Sequence, residues 1–500
     1  MQSISSDLTS SALSSPASPI PLPAAPMVRP PQVAIRTATS SADALRQELS
    51  SVTGPVPAAG AAARGAAPAA AAPSDTPLML AAADGDTAGV LALLRAGAQV
   101  DEIRTDGATA LMSAAQDGHT AVVLVLLQAG ASVGQADCSG WTALMFAAQD
   151  GHTETVRALI RAGAQASQAK TDGFTVMMVA AQDGHTDTVQ ALIHAGASAG
   201  QAMPDGWTAL MSAVENGHTE TALLLIESGG SVDQCTSDGR TVLMIAALNG
   251  HTATVRALLQ ARARIDQADH MGWTALIVAA LDGYTGTVRA LIAAGAAVNQ
   301  AMPDGWTALM AAAQDGHTDT VQALLEAGAR FDQAMPNGWT VLMIAAQDGH
   351  TVTVLALLHA GARLDQTASD GRTVLIAAAQ NGHAGTVRAL LGAGAAVAQT
   401  DHAGFTALIA AAQGGHTRTV QALLHAGAAV DQTMPDGWTA LMSAAQDGHA
   451  ATVQALLAAG ADYQRKSAPG DTAMSLAITG GHKQVIELLW ARALQSKATS

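Results

Sequence analysis

One threonine recurs every 33 residues through most of this 500-residue sequence. No insertion or deletion interrupts the spacing, and a strict period of this length is the sequence mark of a solenoid built from stacked units. Such an array escapes the size limit of a single core, because each unit buries its apolar face only against its neighbours. The thirteen copies are Thr76, Thr109, Thr142, Thr175, Thr208, Thr241, Thr274, Thr307, Thr340, Thr373, Thr406, Thr439 and Thr472.

The copy that runs from residue 304 to 333 shows what each unit encodes. Its sequence, DGWTALMAAAQDGHTDTVQALLEAGARFDQ, predicts two short helices separated by glycine turns. Thr307 and Thr318 are good N-caps for the first and second helix, since a hydroxyl oxygen can satisfy a free backbone N–H. Gly316 and Gly328 are expected to end the two helices, because glycine adopts the left-handed conformation cheaply.

This unit resembles the ankyrin repeat, whose signature is roughly G-x-T-P-L-H-x-A-A-x-x-G-H, then V-x-x-L-L, then G-A. The resemblance extends from about residue 74 to 495. It implies an all-α fold, namely a solenoid of 13 helix-turn-helix repeats joined by β-hairpin-like loops. The matching residues of the copy above are Gly305, Thr307, Leu309, Ala312, Ala313, Gly316, His317, Val321, Leu324, Leu325, Gly328 and Ala329.

The chain departs from the family pattern at two positions. The family proline is kept only at Pro77, and the family histidine after the leucine is usually methionine. In the family that histidine helps to tie the turns together, so these repeats should rely more on apolar packing. The methionines are Met112, Met145, Met178, Met211, Met244, Met310, Met343 and Met442.

The pattern divides the chain into four parts. Residues 1–72 are rich in Ser, Pro and Ala, which predicts a disordered tail because such a segment buries too little to offset its ordering entropy. The tail is also compatible with an organelle transit peptide or a bacterial type III export signal. Residues 74–106 form an N-terminal capping repeat, 107–469 eleven internal repeats, and 470–495 a more polar C-terminal cap. In that cap we expect Trp490 to pack on its neighbour.

Repeat 6 breaks one rule, because Arg262 stands where every other complete unit has its closing glycine. A side chain in the left-handed conformation costs on the order of 1 kcal/mol. The substitution is either a tolerated defect or a local bend. The unbroken 33-residue register favours the tolerated defect.

The bulk composition limits the class of partner. A formal net charge of −16 argues against nucleic acid and anionic membranes as main partners, and no apolar run approaches a membrane span. Cys138 and Cys235 lie almost three repeats apart, too far for a disulfide, which favours a reducing compartment such as the cytoplasm. Export into a host cell stays open as an alternative.

The strongest binding candidate is the position between the turn glycine and the capping threonine, which we call the aromatic ladder. By the family resemblance it faces the concave groove, a usual contact surface for partners. Trp and Arg are also enriched in binding hot spots. The alternative is that each ring packs against the adjacent hairpin. The ladder comprises Trp141, Phe174, Trp207, Arg240, Trp273, Trp306, Trp339, Arg372, Phe405 and Trp438.

A second row of candidates, which we call the polar track, ends the first helix of many repeats. The resemblance places it beside the ladder on the concave side, where it would set polar specificity. Solvation of the helix ends explains the aspartates equally well. The track comprises Gln116, Asp117, Gln149, Asp150, Gln182, Asp183, Gln314, Asp315, Gln347, Asp348, Gln446 and Asp447.

Eleven of the sixteen histidines share one slot in the repeat, which raises the question of a metal. One histidine per repeat places neighbours ~10 Å apart, whereas zinc needs several donors about 2 Å from one ion. We therefore assign them to hydrogen bonding in the turns and expect neither a metal nor another cofactor. The slot contains His119, His152, His185, His218, His251, His317, His350, His383, His416, His449 and His482.

The sequence contains no recognisable catalytic signature, such as a P-loop, H-E-x-x-H or G-x-S-x-G. We therefore expect a non-enzymatic, monomeric scaffold or adaptor that binds one or more proteins in its groove. The similarity of the copies favours an extended or repetitive partner. Two alternatives remain open: a secreted bacterial effector that binds host proteins, and an array whose evenly spaced rings stack on a carbohydrate polymer.

Overall fold

The computed structural model describes residues 75–499, with side chains up to Ser496. The tail predicted for residues 1–72 therefore lies outside the described residues. Thirteen helix pairs follow one another, and repeat n contributes a first helix α(2n−1) and a second helix α(2n). The all-α ankyrin-type architecture predicted from the sequence is confirmed.

The first helices are seven residues long and the second helices nine, except for the last. The first helices, α1 to α25 in odd numbers, are Pro77–Ala83, Ala110–Gln116, Ala143–Gln149, Val176–Gln182, Ala209–Glu215, Val242–Leu248, Ala275–Leu281, Ala308–Gln314, Val341–Gln347, Val374–Gln380, Ala407–Gln413, Ala440–Gln446 and Ala473–Thr479. The second helices, α2 to α26 in even numbers, are Thr87–Arg95, Thr120–Gln128, Thr153–Arg161, Thr186–His194, Thr219–Glu227, Thr252–Gln260, Thr285–Ala293, Thr318–Glu326, Thr351–His359, Ala384–Gly392, Thr417–His425, Ala450–Ala458 and Lys483–Thr499.

The recurring threonine caps the first helix, as predicted. In repeat 8, Thr307 has an extended backbone and its Oγ1 accepts a hydrogen bond from the N–H of Met310 at 3.3 Å. The turn before it is closed by an antiparallel bridge between Ala301 and Thr307 and by the Met302 N–H, which donates to the Trp306 carbonyl at 2.8 Å. The hairpin-like loop therefore places the ladder residue directly before the first residue of the helix cap.

The cap predicted for the second helix is wrong. His317 occupies the N-cap position without a side-chain capping bond, and Thr318 is already the first helical residue. Because its backbone is helical, its hydroxyl points away from the free N–H groups of the helix start. It donates to the Gly316 carbonyl at 3.3 Å and shares a 2.8 Å hydrogen bond with Thr353 of the next repeat.

Threonine pairs of this kind join consecutive second helices along the array. Each pair links the first helical threonine of one repeat to a fully buried threonine 35 residues later. The bonds measure 2.7–2.9 Å. The nine pairs in the described residues are Thr120–Thr155, Thr153–Thr188, Thr186–Thr221, Thr219–Thr254, Thr252–Thr287, Thr285–Thr320, Thr318–Thr353, Thr351–Thr386 and Thr417–Thr452.

Three junctions lack the pair. Thr87 of repeat 1 stands 35 residues before the fully buried Val122, which has no hydroxyl, and the other two junctions have lost the first threonine. Ala384 has no hydroxyl, so the buried Oγ1 of Thr419 in the next repeat lacks a hydrogen-bond partner. Ala450 also has no hydroxyl, but the residue that it faces is the fully buried Val485. The junction at Ala450 has lost both polar groups together, whereas the junction at Ala384 retains one without its partner.

The repeated histidine also connects neighbouring repeats. The Nε2–H of His185 donates to the Gln149 carbonyl, which ends the first helix of the preceding repeat, at 2.8 Å. Its ring fills the space beside Gly151, where a Cβ atom would lie only 2.4 Å from Nδ1. The predicted hydrogen-bonding role is confirmed, but the bond crosses between repeats. Glycine is required at that turn both for its positive φ and for this close approach.

The core consists of small aliphatic residues, and successive first helices pack against each other along the array. The alanine before the polar track is fully buried in repeat after repeat, as at Ala148 and Ala313. Methionines at the family histidine position are also buried, as expected from their apolar character. In two repeats the methionine sulfur also accepts a backbone hydrogen bond, from the N–H of Thr175 to Met178 Sδ and from that of Thr241 to Met244 Sδ.

Arg262 is the one non-glycine residue with positive φ in the described part of the chain, at 65°. The helix end before it is otherwise like the others, with its N–H donating to the Leu259 carbonyl at 3.0 Å. A Cβ atom added at the equivalent Gly295 would meet no atom within 4 Å. The arginine therefore fits sterically, and its cost comes from the backbone conformation alone.

The C-terminal end differs from the prediction. Ala493 stands where the internal repeats have the closing glycine, so α26 does not stop there and continues to Thr499. Trp490 was expected to pack on its neighbour. In the structure 57% of its surface is exposed, so most of the side chain is not covered. Within residues 75–499 no repeat packs on the outer side of α26.

The unpaired Thr419 hydroxyl predicts a stabilising substitution. Ala384→Thr should raise the free energy of unfolding by about 1 kcal/mol, because the new hydroxyl completes the pair with Thr419. Urea unfolding followed by circular dichroism measures the change. Ala450→Thr is the matched control, since it places the same residue opposite Val485. An equal gain from both variants would show that the inter-repeat bond is not the cause.

The positive φ of Arg262 predicts a second stabilising substitution. Arg262→Gly should raise the free energy of unfolding by up to about 1 kcal/mol, because glycine adopts positive φ without the Cβ penalty. The reverse change one repeat later, Gly295→Arg, should lower it by a similar amount. Thermal and urea denaturation of both variants measure the pair of effects. Loss of stability in Arg262→Gly would contradict a purely conformational cost.

Candidate functional site

The ladder residues precede the first helices and the polar track ends them, and we call these two rows together the inner face. The Trp207 ring reaches along its own first helix, where Nε1 donates to Ser212 Oγ at 2.9 Å. Trp438 makes the same contact with Ser443 at 2.8 Å. The polar track ends the first helix after Trp438 with Gln446 and Asp447, whereas the first helix after Trp207 ends with Glu215 and Asn216. One repeat therefore presents a ring and then a polar pair along a single helix.

The aspartate or asparagine two residues before the ladder position sets its direction. Asp205 Oδ1 accepts the backbone N–H of Trp207 at 3.0 Å, and Asp304 Oδ1 accepts that of Trp306 at 3.1 Å. This side-chain turn fixes the backbone just ahead of the bridge to the capping threonine. At Trp141, Trp273 and Phe405 the acceptor is instead an aspartate four residues earlier, so a local side-chain hydrogen bond fixes the backbone at every ring.

The ladder residues differ in their exposure. Trp141, Phe174, Trp273 and Trp306 are buried, with 3–6% of their surface exposed. Trp207, Trp339, Phe405 and Trp438 are half-buried, as are Arg240 and Arg372. The ladder therefore divides into rings that pack within the array and rings that keep one part in water.

Two cations, Lys170 and Arg372, lie over ladder rings, and the contact of Lys170 was not predicted from the sequence. Lys170 Nζ lies 5.8 Å from the Trp141 centroid and 5.9 Å from that of Phe174. Arg372 stacks 6.0 Å from the Trp339 ring of the preceding repeat and pairs with Asp370 at 3.0 Å. The array itself therefore shows that this row of rings accommodates a guanidinium or ammonium group. Lys170 stands outside the ladder position, so only the fold reveals its contact.

The amides of the polar track have unequal access to water. Gln314 and Gln347 are buried, whereas Gln149, Gln182 and the remaining amides are half-buried. The Oε1 atom of Gln314 is buried without a hydrogen-bond partner. Sequence reasoning placed all these amides in the groove, yet the two in the middle of the array offer almost no surface.

The acidic members of the track include three carboxyls with altered acidity. Burial raises the pKa of Asp348 to about 6, against a lowering effect of His350 and with a smaller raising effect of Asp315. Burial also raises the pKa of Asp150 and Asp183, although part of each side chain reaches water. Histidines from their own and the following repeat lower both values.

Comparison of the same slots in every repeat shows where the track is interrupted. Glu215 occupies a glutamine slot, and burial raises its pKa. Leu248 and the buried Leu281 follow in the next two repeats. These residues were missed because the sequence analysis selected only Gln-Asp pairs. Alignment of all thirteen units at this slot would have identified them.

Within the described residues no group of three or more His, Cys, Asp or Glu side chains could hold a metal ion. In the same part of the chain no helix is both long and apolar enough to cross a bilayer. Cys138 and Cys235 are free.

Comparison with known families covers nearly all of the described array. The description "Ankyrin repeats (3 copies)" matches residues 78–169, 126–203, 162–234, 228–302, 286–368, 342–434 and 426–498. The chain belongs to the ankyrin repeat family. Repeats of this family are generally modules for protein–protein interaction, and the family is generally non-catalytic.

Comparisons with individual proteins give less information about this chain than the family match does. No curated protein matches the chain. Among solved structures, the ankyrin repeat domain of human ASB11 is 25% identical and aligns over 44% of this chain and 98% of its own length, with a TM-score of 0.42. That likeness is too distant in overall geometry to carry an argument about function.

The raised pKa of Asp348 predicts a pH-dependent effect on stability. Between about pH 4 and pH 6 the folded chain holds a proton that the unfolded chain has released, so stability falls as pH rises through this window. Asp348→Asn should therefore raise the free energy of unfolding by roughly 1 kcal/mol at pH 7, and the gain should vanish below about pH 4.

Native repeats already use the amide at this slot, as at Asn216 and Asn249. Urea unfolding of wild type and variant from pH 3.5 to 7.5 measures the difference. A gain that is the same at every pH would show that ionisation of this carboxyl is not its cause.

Proposed function

We propose that this ankyrin repeat chain is a non-catalytic scaffold or adaptor that binds a protein partner along its inner face. The observation that carries the proposal is the repeated combination of a ladder ring with a polar pair at the end of the same first helix. Hot spots of protein interfaces combine Trp or Arg with surrounding polar groups in this manner. The combination recurs in repeats 3, 4, 8, 9 and 12.

The half-buried rings are the proposed anchors. Trp207, Trp339, Phe405 and Trp438 keep part of their surface in water while their backbones are fixed by local hydrogen bonds. A rigid ring loses little conformational entropy when a partner covers it. The buried rings support these anchors from neighbouring repeats and contribute little contact area of their own.

Charge favours a partner segment that carries lysine or arginine. Within residues 75–499, none of Asp150, Asp183 and Asp348 forms an ion pair with a lysine or an arginine. Burial has already removed part of the water around each carboxyl, so a partner cation would be attracted more strongly than at an open surface. The spacing of about 10 Å per repeat equals about three residues of an extended chain.

The other two candidate functions gain less support. A carbohydrate polymer would need a regular row of open ring faces, and four of the eight ladder rings are buried. An effector role depends on an export signal in residues 1–72, which lie outside the described residues. Protein binding in the groove is therefore the function that the described geometry supports best.

An affinity comparison tests this function. The intact chain and a Trp207→Ala, Trp339→Ala, Trp438→Ala variant are used as baits, and captured proteins are quantified by mass spectrometry. We expect a specific partner to be lost from the variant, because three anchors are removed. A Val352→Ala, Leu355→Ala variant is the control, since both residues are exposed on α18, a second helix.

Circular dichroism confirms that each bait is folded. Capture of the same set by all three baits would show that the inner face is not the binding surface. Loss from the α18 variant alone would place the partner on the second helices. Addition of salt should weaken true inner-face binding, because part of the attraction is between exposed charges.

A further inference from the structure

The C-terminal end of the array exposes apolar side chains at positions that are covered elsewhere. Ile478 is 58% exposed, yet the residue in its slot has no exposed surface in any of the other twelve repeats. That residue is alanine in eleven of them and valine at Val214. An end repeat normally has a polar outer face, since nothing packs on it. Here the exposed position has gained a larger apolar side chain instead.

The last helix shows the same feature. Trp490 is 57% exposed, whereas the equivalent Leu and Ile residues of the other repeats are buried or half-buried. Leu494 is 63% exposed and lies one helical turn further on, so both side chains share one stripe of α26. We call Ile478, Trp490 and Leu494 the end patch. It is separate from the inner face described above.

The continuation of α26 gives this patch its form. Internal repeats turn back after about nine helical residues, but α26 has 17 because Ala493 replaces the closing glycine. The extension carries Leu494 beyond the level at which the other second helices end. Another repeat of the same type would meet Ile478 where it expects alanine, so the end patch does not suit further stacking.

We propose that the end patch binds a second copy of this chain, with two α26 helices packed antiparallel about a two-fold axis. Two apolar residues one turn apart on a stripe are self-complementary in this arrangement. Trp490 of each copy lies on Leu494 of the other, so a single type of contact forms twice. The sequence predicts a monomer, and a dimer formed through the end patch differs from that prediction.

The available area is consistent with a weak dimer. The exposed parts of the three side chains amount to on the order of 400 Å² per copy, the size of an interaction patch on a monomer surface. Two copies would bury about 800 Å² from these residues alone, which lies below the roughly 1,200 Å² of a standard specific interface and corresponds to a weak association. The inner face remains open in such a dimer, so this inference does not depend on the proposed partner binding.

Sedimentation velocity of the full chain between about 1 and 100 µM tests the proposal. Wild type should show a concentration-dependent monomer–dimer equilibrium. Trp490→Lys and Leu494→Glu should each weaken it at least tenfold, because each places a charge against an apolar residue in both contacts. Val352→Lys is the matched control, since Val352 is 67% exposed but lies on α18, away from the end patch.

Mixing the two charged variants distinguishes a second copy from any other occupant. In a mixed dimer one contact brings the introduced lysine against the introduced glutamate, and the other keeps the native Trp490 and Leu494. We therefore expect the equimolar mixture to regain association that neither variant shows alone. A monomeric wild type at 100 µM, or a mixture that stays monomeric, would overturn the proposal.

Discussion

The contact between consecutive repeats determines the whole described structure. Most junctions join two second helices by a threonine pair, and many also join two turns by a histidine that donates to a carbonyl of the preceding repeat. The histidine ring fits only because glycine lies beneath it, where a Cβ atom would come within 2.4 Å of Nδ1. These polar bonds fix the register, while buried alanines allow the first helices to approach closely.

This arrangement explains why small departures remain local. The junction between Ala384 and Thr419 lacks one hydrogen bond, and Arg262 stores strain in a single backbone turn, yet the 33-residue period continues through both. In a solenoid, stability is close to a sum over repeats and their nearest-neighbour contacts. A defect therefore lowers the stability of its own junction without disturbing the candidate surface several repeats away.

The same periodicity generates the candidate surface and modifies it. A ladder residue recurs in most repeats and a Gln-Asp pair in six of them, but their access to water differs along the array. Trp273 is buried and Trp438 half-buried, although both occupy one slot in the sequence. The contacts of each ring also differ, since Arg372 stacks on Trp339 and Lys170 lies over Trp141 and Phe174.

The sequence by itself determined the repeat length, the two helices, the threonine cap and the ankyrin family, because these depend on local patterns within one unit. It could not determine that Thr318 bonds to the next repeat, that α26 exposes Trp490, or that Asp348 is half-buried and resists ionisation. Those properties arise from groups 30 or more residues apart, or from the absence of a neighbour at the end. Only the stacked tertiary structure brings such groups together, and it therefore decided which candidate residues reach the surface.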